Sequence, residues 1–230
     1  MKIGSPEWKE IIVEGAQHLG IAVQPGQADQ FAMHAIALKE WNQKINLTAI
    51  DSPMDMAVKH FLDSIIPSSY ITSGSRLLDV GSGAGFPGIP LKVMMPSLNV
   101  TLVDATRKKV SFLTHVIQQL HLSDISAIHS RVENLRRDRE GEFDMIVCRA
   151  FSSLNSFVEK SLPLLASDGL LMAFKGKNIE PDLMQVPTFQ EVGKTFFVPG
   201  NKPNRRLQMK FIHFNLPFLD LSRTLILLYR

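Results

Sequence analysis

The sequence predicts an α/β protein: a mostly parallel, doubly wound sheet with an N-terminal helical extension. Three observations carry this. Residues 5 to 70 place apolar side chains at helical spacing and show no strand pattern. From residue 75 onward, strand-length apolar runs alternate with helix-length amphipathic segments, the pattern of parallel strands joined by helical crossovers. At the junction, residues 77–80 run straight into glycines at 81, 83, 85 and 88. The division drawn from this is an extension over residues 1–70 and a sheet domain over 71–230.

In the extension, Ser5-Pro6-Glu7 supplies a cap, a first-position proline and a first-turn acid. Trp8, Ile11, Ile12 and Leu19 follow at helical spacing, and Gly20 ends the run. Phe31, Ala35, Leu38 and Trp41 mark a second helix. Ser52-Pro53-Met54-Asp55 opens a third with a capping-box pattern, and its stripe is Val58, Phe61, Leu62 and Ile65. His60 and Asp63 stand three apart on another face and read, by themselves, as a solvated pair. Strands are expected at 77–80, 100–103, 125–129, 143–148 and 170–175, with helices at 88–95, 108–120 and 154–165. Late strands at 196–198, 209–214 and 224–229 are separated by Pro and Asn turns.

Composition narrows the class. The 230 residues suffice for a sizeable core, and the formal charge of +3 permits a nucleic-acid partner without demanding one. The first residues include Glu7, Lys9 and Glu10 and no apolar run, so no secretory signal is read there. No apolar run is long enough to span a membrane. The single cysteine, Cys148, excludes an internal disulfide and a thiolate metal cluster, which fits a reducing cytoplasm.

The glycine stretch is a nucleotide-type cradle: glycine tolerates positive φ and lets a ligand approach the main chain. The free amides of the loop and of the following helix are expected to face that ligand. Gly83-x-Gly85-x-x-Gly88 matches the dinucleotide fingerprint literally, but it begins two residues late. Asp79-x-Gly81-x-Gly83-x-Gly85 instead fits the S-adenosylmethionine loop of Rossmann-like methyltransferases. Asp104, ending the second strand, stands where a carboxylate accepts both ribose hydroxyls.

Arg131-Val132-Glu133 follows the third strand, where residues can flank an adenine, although a surface loop is the plainer reading. Arg149 ends the fourth strand, where a guanidinium needs an anion: a cofactor carboxylate, an RNA phosphate, or Asp79 or Asp144 in a structural salt bridge. Arg131, Arg136, Arg137 and Arg139 crowd one loop, Lys175 and Lys177 follow the fifth strand, and Lys202, Arg205, Arg206 and Lys210 crowd a third segment. The first two groups sit at the cofactor side of the sheet, so a phosphate-tracking rim is expected, with Arg131, Arg136, Arg137, Lys175, Lys177 and Arg205 as RNA-binding candidates.

These pieces together resemble the RsmG/GidB family of bacterial 16S rRNA (guanine-N7) methyltransferases. The resemblance rests on Trp41-Asn-x-x-x-Asn46-Leu-Thr48, His60-Phe-Leu-Asp63-Ser64, the run from Asp79 through Gly85-Phe86-Pro-Gly-Ile-Pro-Leu91, Leu102-Val-Asp104, Arg131-Val132-Glu133, Arg149-Ala-Phe-x-Ser-Leu154, Lys175-Gly176 and Arg223-Thr-Leu-Ile-Leu. They are collinear over residues 40 to 230. Cys148 and Thr224 depart from the family's common serine and histidine, and residues 199–210 from its usual loop. The resemblance implies a Rossmann-like class I fold dependent on S-adenosylmethionine (SAM). It implies cofactor contacts at Gly81, Phe86, Asp104, Val132, Glu133 and Arg149, alongside the loop glycines Gly83 and Gly85. It also makes His60 and Asp63 pocket-mouth residues, so that His60, Asp63 and Arg149 are the catalytic candidates.

The implied partner is 16S rRNA or the 30S subunit, met in the cytoplasm by a monomer. Guanine N7 offers a free lone pair, so neither a general base nor a metal is required, and catalysis rests on positioning and electrostatics. The alternatives are an NAD-dependent oxidoreductase, for which Tyr70 and Tyr229 lack a neighbouring lysine, and a non-catalytic SAM- or RNA-binding module.

Overall fold

The computed structural model describes residues 1–149, 153–176, 195–197 and 206–229. Two helices come first, α1 (Pro6–His18) and α2 (Pro25–Asn42). Ser5 caps α1 by accepting from the Trp8 amide. The third helical stretch departs from the sequence expectation. It begins as α3 (Pro53–Asp55), widens to a π-helix over Met56–Leu62, closes as α4 (Asp63–Ile65), and tightens to a 3₁₀ turn over Ile66–Tyr70.

The strands are β1 (Arg76–Val80), β2 (Asn99–Asp104), β3 (Ile125–His129), β4 (Phe143–Arg149), β5 (Leu165–Lys175), β6 (Thr195–Phe197), β7 (Arg206–Leu216) and β8 (Leu221–Tyr229). Helices α5 (Gly88–Met94), α6 (Arg107–Gln119) and α7 (Leu154–Ser161) separate the early ones. The expected helix over 154–165 ends at Ser161, because Pro163 lacks the amide a helix interior needs; a 3₁₀ turn over Leu162–Leu164 follows. Val198, expected in a late strand, lies outside the described residues.

The eight strands form one sheet in the order β3-β2-β1-β4-β5-β8-β7-β6. Strands β1 to β5 pair in parallel, and β8, β7 and β6 add antiparallel partners at one side. The order reverses between β1 and β4, and a ligand crevice opens beyond the carboxyl ends of strands at such a switch. Strand alternation splits the core. Leu77, Leu102 and Val147 pack on one face with Trp8, Phe31, Phe61 and Phe112. Leu78, Val103 and Ile146 pack on the other with Phe157 and Leu164. The helices of the first seventy residues therefore share a core with one face of the sheet, and this brings their polar residues to the crevice.

Candidate active site

β1 delivers the chain to the loop of residues 81–87. The amides of Gly81 and Ser82 both donate to the Val103 carbonyl, at 2.8 and 3.0 Å. Gly83 N–H donates to Asp104 Oδ2 at 3.0 Å, and the Gly85 and Phe86 amides to the Ser82 carbonyl. At the start of α5, Gly88 N–H donates to Asp79 Oδ2 at 2.9 Å. This corrects the expectation that free loop and helix amides face the ligand: nearer acceptors within the protein take them.

What the loop offers instead is room. Gly81 and Gly83 have φ of 72° and 56°, and a Cβ on Gly81 would meet nothing within 4 Å among the described residues. On Gly83 it would meet only the Gly81 carbonyl, at 3.8 Å. Gly85 and Gly88 serve packing. A Cβ on Gly85 would stand 2.5 Å from Ile89 Cδ1, and one on Gly88 would collide with Leu102 and stand 2.7 Å from Asp79 Oδ2.

Two carboxylates brace this loop. Asp104 is buried and braces the loop through Gly83, while its other oxygen accepts from Thr106 N–H at 2.7 Å. It is not the side-chain cap of α6, whose N-cap is Thr106. A carboxylate has about four acceptor sites, so capacity for sugar hydroxyls remains. Asp79 is fully buried, and its Oδ1 has no hydrogen-bond partner among the described residues. Burial pushes its pKa up to about 7, against the opposing effects of the Gly88 amide and Arg149.

Beside the loop, three rings form a sandwich. The Phe86 ring, 3% exposed, stacks on His34 at 4.8 Å and on His60 at 4.4 Å, with interplanar angles of 14° and 7°. His34, on α2 and fully buried, donates Nε2–H to the Ala84 carbonyl at 2.9 Å, a bond spanning 50 positions. Sequence reading missed it. The available signal was its place between Phe31, Ala35 and Leu38 on an apolar helix face. Burial lowers its pKa to about 4.

His60 and Asp63 are buried, not solvated, which corrects the isolated reading of the pair. The π-helical turn and the packing of residues 53–65 against the sheet draw both inward. Arg149 Nη2–H donates to His60 Nδ1 at 2.9 Å and Nη1–H to the Lys59 carbonyl at 2.9 Å. His60 Nδ1 is thus an acceptor, and Nε2–H donates to Thr48 Oγ1 at 2.9 Å. Burial, with Arg149 and His34 adding to it, lowers its pKa to about 2. Arg149 also lies over the Phe86 ring, 5.1 Å from its centroid. The acid paired with Arg149 is Asp63, at 3.8 Å; the expected candidates serve elsewhere, Asp144 on Arg76 and Asp79 on Gly88. Arg223, to which sequence reading gave no role, approaches the same Asp63 oxygen at 3.6 Å.

A cleft of about 450 Å³ opens here, with Lys59, Asp63, Arg149, Phe174, Lys175 and Arg223 in its wall. Val132 is buried and starts a 3₁₀ helix, Val132–Arg137, where a loop was expected. Glu133 pairs with Lys160 at 2.7 Å, and Arg139 with Glu142 at 3.1 Å. Arg131, Arg136, Arg137 and Lys210 are exposed. Lys177, Lys202 and Arg205 lie outside the described residues, as does the Arg206 side chain. No helix among the described residues is long and apolar enough to cross a membrane.

A strand order that reverses between β1 and β4, an open glycine loop and an acid ending β2 define a Rossmann-like α/β fold of the class I methyltransferase type. Solved structures agree in fold. A SAM-dependent methyltransferase from Aquifex aeolicus aligns with a TM-score of 0.53 at 17% identity, over 78% of this chain and 94% of that one. A precorrin-6y C5,15-methyltransferase from Geobacter metallireducens aligns at 0.53 and 9% identity, over 73% and 87%. Within this class, residues 27–207 match the family described as rRNA small subunit methyltransferase G, GidB, and the chain belongs to that family. A ribosomal RNA small subunit methyltransferase G from Geotalea uraniireducens is 47% identical over 169 residues, 74% of this chain and 77% of that protein. One of the same name from Alkaliphilus oremlandii is 36% identical over 226 residues, 96% and 90% of the two chains.

Proposed function

We propose that this chain transfers the methyl group of SAM to N7 of a guanine in the decoding region of 16S rRNA, working in the cytoplasm as a monomer. The observation that carries this is Arg149, which lies over Phe86 of the open glycine loop and also stands in the wall of a cationic cleft. One suits an adenosyl donor and the other an RNA nucleotide. Family membership supports the same reading. In it, residues 1–70 form the helical extension and 71–230 the catalytic domain.

The residues present fit SAM: open space over Gly81 and Gly83, a strand-end carboxylate at Asp104, and an unpartnered buried oxygen on Asp79. SAM supplies an electrophilic methyl on a sulfonium. Asp104 accepts from the ribose hydroxyls, and Val132 and Glu133 flank the adenine. Asp79 Oδ1 accepts from an ammonium. Arg149, with N–H groups beyond those given to His60 and Lys59, meets a carboxylate. N7 carries a lone pair before reaction, so no proton leaves ahead of attack, and His60 is no general base: Arg149 occupies its Nδ1 lone pair, and its low pKa keeps it neutral. Its part is to aim Arg149. Arg131, Arg136, Arg137 and Lys175, with Lys177 and Arg205, track RNA phosphates.

The test is transfer of tritiated methyl from SAM to 16S rRNA and to 30S subunits, with mass spectrometry of the product base. A 7-methylguanine is expected. No transfer to either substrate, or a product other than 7-methylguanine, overturns the proposal. Calorimetry with SAM and with NAD separates it from an oxidoreductase.

A further inference from the structure

Asp63 is the single carboxylate in the wall of the 450 Å³ cleft among the described residues, and Lys59, Arg149, Lys175 and Arg223 share that wall. The cleft therefore favours a phosphate-bearing ligand. A carboxylate inside such a site needs its own explanation. Asp63 is 3% exposed. Its Oδ2 faces Arg149 and Arg223 at 3.8 and 3.6 Å, and its Oδ1 is buried with no hydrogen-bond partner among the described residues. A buried acceptor left unmade costs about 1–3 kcal/mol, and native proteins keep few of them.

The flanking arginines hold the group in place. Arg149 is itself fixed by the Lys59 carbonyl and His60, while Asp63 Oδ1 is without a partner among the described residues and Oδ2, in ion pairs at 3.6 and 3.8 Å, keeps acceptor capacity, so both oxygens can receive a donor. χ2 of an aspartate is a soft torsion, which lets the carboxylate turn toward the cleft.

We propose that Asp63 selects guanine, its carboxylate accepting N1–H and the 2-amino N–H of the target base. This rests on the methyl-transfer reading above. Among the four RNA bases, guanine alone offers two adjacent donors on its Watson–Crick edge, and a carboxylate is the side chain that accepts both. Adenine and cytosine place a ring acceptor there, which the carboxylate repels. Uracil places one donor between two carbonyls. N7 lies on the opposite edge of the purine, so seating the Watson–Crick edge on Asp63 leaves N7 free to be alkylated. The same negative charge favours the cationic product ring.

The experiment compares target RNA carrying guanine with the same RNA carrying inosine, which lacks the 2-amino group, in wild type and D63N. SAM affinity and thermal unfolding are recorded alongside. Loss of a hydrogen bond to a charged acceptor predicts that wild type favours guanine in kcat/KM by about tenfold to a hundredfold. In D63N, guanine turnover falls and the guanine-to-inosine ratio approaches one. A purely structural role for Asp63 would lower both substrates together and leave the ratio at its wild-type value; that result overturns the proposal. Equal wild-type rates on the two RNAs overturn it as well, even if D63N fails to fold. Failure of wild type on the guanine RNA is a different outcome, and it removes the methyl-transfer reading itself.

Discussion

Gly81 and Gly88 bracket the same loop, and their alanine variants should fail in opposite ways. At Gly81 the added Cβ meets no protein atom within 4 Å among the described residues, so the folded state loses only the cost of φ at 72°. For an L residue that is about 1–2 kcal/mol. In a chain of this length 1 kcal/mol moves Tm by roughly 2–4 °C, so a fall of a few degrees is expected. The new methyl, however, enters the room proposed for SAM, and affinity should drop at least about tenfold, or 1.4 kcal/mol. At Gly88 the Cβ collides with Leu102 and stands 2.7 Å from Asp79 Oδ2. Overpacking of this kind costs about 1–3 kcal/mol, and here it also threatens the Gly88-to-Asp79 bond that opens α5. Gly88→Ala should therefore lose more Tm than Gly81→Ala. Its SAM affinity, measured well below its melting point, should be the less affected of the two. Scanning calorimetry and isothermal titration with SAM give both numbers. Wild-type SAM affinity in Gly81→Ala would refute the claim that the open side of the loop is the donor site.

Asp104→Ala should abolish measurable SAM binding by titration and loosen the loop at Gly83; unchanged affinity would count against the assignment. Stability should carry a specific pH signature between about pH 4 and 6.5. The folded pKa of His34 is lowered to about 4 and that of His60 to about 2, so each unfolded imidazole takes up a proton that the native state refuses, and their stabilisation is lost as pH falls below 6.5. Asp79 acts in the opposite sense: raised to about 7, it holds a proton that the unfolded chain has released, and its contribution is lost as pH rises toward 7. Denaturant melts across this window should give Asp79→Asn a slope steeper than wild type by one proton and His34→Gln a slope shallower by one; identical slopes would contradict the burial of these groups. Reversing Arg131, Arg136 and Arg137 to glutamate should weaken RNA binding and flatten its salt dependence while sparing SAM affinity, as read by filter binding and titration.

The sheet was legible because its signals are local. Each early strand is a short apolar run closed by a polar or glycine residue, and α6 and α7 are amphipathic, so most of residues 75–175 could be read without long-range information; the 3₁₀ helix that crosses from β3 to β4 could not. The glycine loop was legible as a cradle, but the fate of its amides was not. Whether Gly88 N–H meets a ligand or Asp79 depends on where a strand side chain points nine residues earlier. The inner wall of the site was the least legible part. A helical wheel puts His60 and Asp63 off the apolar stripe of Val58, Phe61 and Leu62, and a π turn is not written in side-chain periodicity. The partners of Arg149 lie some 90 residues upstream, and two nearer acids, Asp79 and Asp144, were equally good candidates on charge alone.

One aromatic ring, Phe86, is clasped between imidazoles borne on separate helical segments of the first seventy residues. Chain that precedes the sheet thus sets the shape of the bend that follows its first strand. A version trimmed to begin at residue 71 would lose both halves of the clasp, and engineering that swaps the leading helices to redirect the enzyme toward another RNA must carry these two histidines across intact.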